Sequence, residues 1–369
     1  MPKKFVLHCP VVSPHHLSFM TKVVQALGDD QVLYVHTIPL TDERKKLGWG
    51  ESSRAWIRCV DGDDELYQEL VNCDVLISSI RDIVLFARRA HEGRTTIYMS
   101  ERWFKPIQIL GHLMPGWLRL FHPVFAITAL RFARLINSSL PFYYFPMSIW
   151  AARDMAKLCG YRGHVTFEHK AGGRIWAGKH LIEKFRIWAY FVESTSGAER
   201  KKVCKDLKSV LWVGRMVGVK RVSDIVKATQ IATEKGIRIE LNLYGHGEDE
   251  INVKRAAEGM LNVHFHDPVP IARVRDLMRE NDVYVLSSDA MEGWGAVVNE
   301  AMEEGMCVIG THEAGASSTL LPKENLYHAG DVTALAELLT KGCSKTDIDG
   351  WSCKAAATEV CRIIETNNF

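Results

Sequence analysis

The chain has 369 residues, 47% of them hydrophobic and 24% charged, with a formal net charge of +2. That composition excludes disordered, collagen-like and low-complexity architectures, and the length allows two domains whose cores need no metal or disulfide staples. None of its nine cysteines (Cys9, Cys59, Cys73, Cys159, Cys204, Cys307, Cys343, Cys353, Cys361) forms a Cys-x-x-Cys pair, so reduced, buried thiols in a cytosolic protein are expected, not a zinc site or disulfide framework.

Phe5–Val12 (FVLHCPVV) is a short apolar run ended by Ser13-Pro14 and predicts a first β-strand, not a signal peptide. Leu17–Leu27 has helical spacing, Val32–Ile38 reads as a strand, and residues 63–72 read as a short helix behind an Asp cluster. Asp74–Ser79 and Thr95–Ser100 are further strands. Strands separated by helices imply a parallel sheet covered on both faces. Polar residues follow three of these strands on the expected ligand edge: His15 and His16, then Ser78, Ser79 and Arg81, then Glu101 and Arg102. His15 and His16 suit proton transfer or phosphate contact, and Glu101 and Arg102 suit acceptor binding. Surface loops and an ion pair are the alternative readings.

Charge is unevenly divided. Residues 1–200 hold 26 Lys+Arg against 19 Asp+Glu, a charge of +7, and residues 201–369 hold 20 against 25, a charge of −5. No acidic residue occurs from Arg102 to Arg153, a stretch with Lys105, Arg119, Arg131, Arg134 and eleven aromatic residues, Trp103 and Trp150 among them. Basic and aromatic residues together suit an anionic membrane surface or a lipid-linked acceptor, each Lys or Arg adding ~1 kcal/mol. The alternative is aromatics in the core and solvated arginines. No nucleic-acid motif appears, so none is expected as a partner. The uncharged stretch Leu135–Ala152 is interrupted by Asn137, Pro141 and Pro146, which argues against a membrane-spanning helix.

Residues 170–208 fit neither period and read as connecting material. A second series follows: strands Ser209–Gly214, Ile237–Gly245, 262–266, Asp282–Ser288 and 307–311, with helices Val222–Lys235, Glu248–Met260, Ile271–Glu280 and Ala296–Glu304 between them. The expected fold class is α/β, with two doubly wound Rossmann-like domains, 1–190 and 191–350, facing across a cleft. Residues 351–369 are expected to form a helix packing back on the first domain. Two Asp-x-Asp stretches, Asp61-Gly62-Asp63 and Asp347-Ile348-Asp349, sit among turn residues. The first leads into a helix, and capping is the better reading than metal binding.

Chemistry concentrates in EGWGAVVNEA, Glu292 to Ala301, which follows a strand and opens a helix. Gly293 and Gly295 admit close backbone approach, and the helix start offers free N–H groups to a phosphate. Two carboxylates beside an anion site need hydroxyls to bind, and a sugar nucleotide supplies both.

This segment resembles the family 4 (group 1) retaining glycosyltransferases of GT-B fold, whose Glu-x(7)-Glu motif Glu292 and Glu300 fit. The form EGWGAVxNEAM and the segment Tyr98–Lys105 (YMSERWFK) are similar to the branch that builds bacterial surface polysaccharide and lipopolysaccharide. VGRMVGVKR (Gly214, Arg215, Lys220), LYGHGE (Gly245, Gly247) and the loop Thr311–Ser318 fall in the family's order. The resemblance is clear over about residues 209–340.

It implies that Arg215 and Lys220 hold the donor diphosphate, as a planar fork and a point charge. Glu300 would bind ribose hydroxyls, Glu292 sugar hydroxyls, and Gly293, Trp294 and Gly295 would line the sugar and phosphate site. Arg215, Lys220 and Glu292 form the expected catalytic set. The implied reaction is metal-independent and retaining, with no cofactor. It moves a sugar from a nucleotide-diphospho-sugar (UDP-sugar first, GDP-sugar second) to a glycan or lipid-linked glycan on the cytoplasmic face of a membrane, where the protein would be peripheral. A soluble acceptor, or a non-catalytic GT-B nucleotide-binding subunit, are the alternatives.

Overall fold

The computed structural model describes residues 2–39, 41–46, 54–59, 64–101, 122–167, 175–176, 181, 183–193, 207–344 and 351–366. Residues 102–121, both Asp-x-Asp stretches and most of 170–208 lie outside them, so Arg102 is not described.

The apolar runs of the first half form β1 (Phe5–Cys9), β2 (Val32–His36), β3 (Ile57–Cys59), β4 (Val75–Ser78), β5 (Thr95–Ser100) and β6 (Phe142–Pro146). They make one parallel sheet of order β3-β2-β1-β4-β5-β6. Every residue of β1, β2, β4 and β5 is buried, because helices cover both faces of such a sheet and no side chain of a central strand meets water. The helices are α1 (Pro14–Leu27), α2 (Asp42–Lys46), α3 (Asp64–Asn72), α4 (Ile83–His91), α5 (His122–Ile136) and α6 (Ile149–Leu158). Ser13, Asp82 and Ser148 cap α1, α4 and α6 by accepting from first-turn N–H groups, each cap contributing about 1 kcal/mol. The short strands β7 (Thr166–Phe167) and β8 (Ile175–Trp176) pair antiparallel.

The second series forms β9 (Lys208–Val213), β10 (Ile239–Tyr244), β11 (Val263–His266), β12 (Val283–Leu286), β13 (Cys307–Thr311) and β14 (Leu326–Tyr327), in the order β11-β10-β9-β12-β13-β14. All its pairs are parallel. Its helices are α7 (Val222–Glu234), α8 (Glu250–Ala256), α9 (Ile271–Glu280), α10 (Val297–Glu303), α11 (Gly315–Leu320) and α12 (Val332–Lys341). Trp212, Ile225, Leu241, Leu243, Val285 and Leu335 are central to its core.

The strands and helices to α6, with a final helix α13 (Cys353–Thr366), form one compact unit, and β9–β14 with α7–α12 form the other. Helix α13 packs against α1, and the main chains of Val192, Trp351 and Cys353 bond to each other.

Three findings differ from the sequence reading. The aromatic stretch Leu135–Ala152 contains strand β6 and the start of α6, and Phe132, Phe142, Tyr144 and Phe145 are 0% exposed. These rings are core: Tyr98 stacks on Phe132 at 4.4 Å and on Tyr144 at 5.8 Å. Among its described side chains, α5 leaves Ile127, Leu130, Arg131 and Arg134 exposed. Second, Cys307 at the start of β13 and Cys343 after α12 are brought together, Cα atoms 5.8 Å apart across 36 residues, a juxtaposition the sequence reading did not foresee. Third, helices α2, α4, α5, α6, α11 and α12 and strands β3, β6, β7, β8 and β14 have no counterpart in the sequence reading. No described helix is long and apolar enough to cross a membrane.

Candidate functional site

In each sheet the strand order reverses beside one strand, between β1 and β4 and between β9 and β12. Loops leaving such a pair at their C-terminal ends diverge to opposite faces and open a crevice. In the second unit those two loops carry Gly214 to Lys220 and Ser287 to Gly295.

The loops are bound together. Ser287 Oγ donates to Lys220 O at 2.5 Å, and Asp289 N donates to Val219 O at 2.9 Å. Lys220 Nζ pairs with Glu292 Oε2, and Ser288 Oγ donates to the same carboxylate oxygen at 2.8 Å. Glu292 and Lys220 side chains are 14% and 25% exposed, so the pair is screened by protein yet open to a ligand. A 3-10 turn, Gly218–Lys220, places the lysine there. Arg215, two residues beyond β9, is exposed.

Glycine is required where β9 and β10 end. A Cβ on Gly245 would lie 1.8 Å from Gly214 O, and one on Gly247 2.1 Å from Met216 O. The two loops touch backbone to backbone, with Gly214 N donating to Tyr244 O at 3.0 Å and Met216 N to His246 O at 2.8 Å. At Gly295, φ is +89° and a Cβ would meet Leu286 Cδ2 at 2.8 Å, so the loop turns there only without a side chain. Gly293 lies in the same loop. Trp294 is turned into the core at 1% exposure, its Nε1 donating to Asn299 Oδ1 at 2.8 Å. That side chain therefore does not line the loop surface, as was expected of it; the Trp294 carbonyl accepts from Ala316 N at 2.8 Å. That bond ties the Thr311–Ser318 loop to the Glu292 loop, as does Thr311 Oγ1 donating to Ser288 O at 2.6 Å.

Glu300 lies on α10, one turn inside. Burial pushes its carboxyl up to about 7, with Arg275 opposing and Glu304 adding to the rise. Burial raises the phenol of Tyr284, its bond to Val213 O opposes the rise, and the charges of Glu292 and Glu300 add to it.

In the first unit, His16 N donates to Ser13 Oγ at 3.2 Å and His16 Nδ1 lies 3.1 Å from Tyr34 Oη. His16 stacks on Tyr190 at 5.6 Å and His15 meets that ring edge-on at 5.3 Å. Burial, with His15 adding, lowers His16 to about 3. Tyr190 was missed in the sequence because it lies in the stretch without periodicity. Ser78 bonds to His8, Oγ to Nδ1 3.1 Å, inside the sheet. Glu101 is half-buried at the end of β5. Among the described residues no group of three or more His, Cys, Asp or Glu could hold a metal ion.

Comparison with known proteins bears on the second unit first. Residues 197–347 match the family model of glycosyl transferases group 1. Curated proteins give no significant match. Among solved structures, HepE of Anabaena in complex with UDP aligns with a TM-score of 0.63 at 14% identity, over 98% of this chain and 96% of that one. The lipopolysaccharide outer core galactosyltransferase WaaB, in its apo form, aligns at 0.63 and 13%, over 98% and 99%. A glycosyltransferase from Rickettsia africae aligns at 0.57 and 12%, over 100% and 97%. At these identities the likeness establishes the fold, which is GT-B.

Proposed function

We propose that the chain is a retaining glycosyltransferase whose second unit binds a nucleotide-diphospho-sugar. The observation that carries this is the Lys220–Glu292 pair at the β9/β12 reversal, with Glu300 on the helix that follows. Lys220, with Arg215, neutralises the donor diphosphate; Glu292 accepts from hydroxyls of the transferred sugar; Glu300 accepts from the ribose. HepE was solved with UDP and with UDP-glucose, which makes a UDP-sugar the first donor to try and a GDP-sugar the second.

In the proposed reaction an acceptor hydroxyl oxygen bonds to the sugar C1 on the face from which the C1–O bond to diphosphate breaks. The hydroxyl proton passes to the departing phosphate oxygen. Configuration is kept, and the protein's work is mainly stabilising the leaving charge. Two cations beside the diphosphate suit transfer without a metal.

The deciding experiment is thermal unfolding with UDP, GDP, ADP and CMP, on wild type and Glu300→Ala. A nucleoside diphosphate at 100 times its Kd should add ~2.7 kcal/mol, and the variant should respond much less. A folded protein indifferent to all four ends this reading.

The acceptor is proposed to be a glycan, lipid-linked, at the inner face of a membrane. Support comes from the acid-free stretch and from the outward face of α5, where Ile127 is 52% and Leu130 48% exposed beside Arg131 and Arg134. Wild type should then sediment with vesicles containing anionic lipid at low salt. Arg131→Gln with Arg134→Gln should weaken this by about 2 kcal/mol, roughly thirtyfold. Equal partition of wild type and variant would remove the α5 face from the reading.

A further inference from the structure

Among the described residues, Arg221 is the one non-glycine with a positive φ, +48° with ψ +41°. A side chain crowds the main chain in this left-handed conformation, so the residue stays there only where its surroundings hold it, and such positions gather at functional sites. Arg221 joins two helical pieces, the 3-10 turn Gly218–Lys220 and helix α7. In a right-handed conformation it would run one into the other. The left-handed residue breaks that path, and it directly follows Lys220, the lysine proposed for the donor diphosphate.

Two anchors fasten the side chain of Arg221. Its Nε donates to Asp224 Oδ2 at 2.7 Å; Asp224 is buried in the first turn of α7. Its Nη2 lies against the main chain of Gly330, between β14 and α12, where a Cβ would stand 3.0 Å away. That turn is itself tied to the Thr311–Ser318 loop, Ala329 N donating to Glu313 Oε2 at 3.0 Å. Within the junction, Arg221 N donates to Gly218 O at 3.1 Å and Asp224 N to Arg221 O at 3.0 Å. Lys220 is held from the other side by the β12 loop, through its carbonyl to Ser287 and its ammonium to Glu292. Glycine would serve the left-handed turn alone, without strain; arginine adds the two anchors. We infer that Arg221 is a positioning residue for the donor diphosphate: its anchored side chain holds the left-handed junction and so keeps the Lys220 ammonium at the β12 loop. The inference rests on the donor-site reading above.

Binding of UDP and of uridine to the full chain separates this role from a merely structural one. GDP and guanosine replace them if GDP is the nucleotide that stabilises wild type. Uridine has the base and ribose but no phosphate. UDP is titrated by calorimetry and uridine as its competitor. Arg221→Gln removes both anchors and keeps the strain, so the turn relaxes and UDP affinity falls with the competent fraction, roughly fivefold. Uridine should bind it as it binds wild type. Arg221→Gly also removes both anchors but removes the strain, so UDP should bind within about twofold of wild type. A larger truncation that disturbs binding less is the reverse of what lost packing produces. Asp224→Asn weakens one anchor and should show a smaller loss of UDP, with uridine again unchanged. Lys220→Met is the reference, weaker for UDP and unchanged for uridine. Melting without ligand reports the fold of each variant. An Arg221→Gln chain that binds UDP as wild type does, or that loses uridine by the same factor, overturns the role of Arg221. So does an Arg221→Gly chain that binds UDP more weakly than Arg221→Gln. If Lys220→Met binds UDP as wild type does, the donor-site reading fails instead.

Discussion

Replacing Lys220 by methionine should lower release of UDP from a UDP-sugar by roughly 10²–10³-fold, the effect of removing one preorganised donor to developing charge. Methionine keeps the unbranched apolar stem and lacks only the terminal ammonium, so packing against the turn Gly218–Lys220 changes little. The ammonium has three N–H groups, and Glu292 occupies one direction of it. A diphosphate can therefore be bound without breaking the pair. Glu292→Gln separates the two roles. It keeps a group that Ser288 can bond and frees the lysine, so UDP should bind at least as tightly as to wild type. Turnover should nevertheless fall, because the acceptor for the sugar hydroxyls has lost its charge. Calorimetric UDP binding beside a turnover assay distinguishes these patterns. If Lys220→Met turned over at the wild-type rate, the pair would be a structural bridge between two loops and the diphosphate would need another partner.

The alternation of apolar strands with amphipathic helices was enough to foresee two doubly wound sheets, since a parallel strand buried on both faces has a continuous apolar pattern. Direct pairing of Lys220 with Glu292, 72 positions apart in the chain, was not foreseeable. It follows from β9 and β12 being neighbours, a property of strand order. β6 escaped notice because Phe142 to Phe145 sit beside Pro141 and Pro146, which read as loop, and because their aromatic character suggested a surface. Phe142 and Tyr144 instead pack within a cluster of Phe86, Tyr98, Phe132 and Phe185, and Phe145 stacks on Trp188. Trp294 misled for the converse reason: beside two loop glycines it looked like a ligand contact, whereas Asn299 five residues on satisfies its indole inside the core.

Arg89→Met should cost about 3–5 kcal/mol of stability, the range for stripping a partner from a buried charged network. Arg89 is 0% exposed and occupies the apolar face of α4 with Leu85, Phe86 and Ala90. Among the described residues its guanidinium pairs with no carboxylate. Nη1 donates to Leu70 O at 2.8 Å and Val71 O at 2.7 Å; Nη2 donates to Thr95 O at 2.9 Å; Nε donates to Thr96 Oγ1 at 3.1 Å. Leu70 and Val71 end α3, whose last carbonyls have no partner within the helix, so the arginine caps α3 from α4 and fastens both to β5. Methionine fills the volume but leaves those carbonyls dry and unpaired. Arg89→Lys, with a single ammonium that cannot span the fork, should lose part of the same amount. Urea unfolding of the full chain measures both losses, and binding of UDP by the surviving folded fraction should be unchanged, since every contact of Arg89 lies in the first unit. A midpoint for Arg89→Met equal to that of wild type would mean that water reaches these carbonyls and that the guanidinium contributes nothing as a cap.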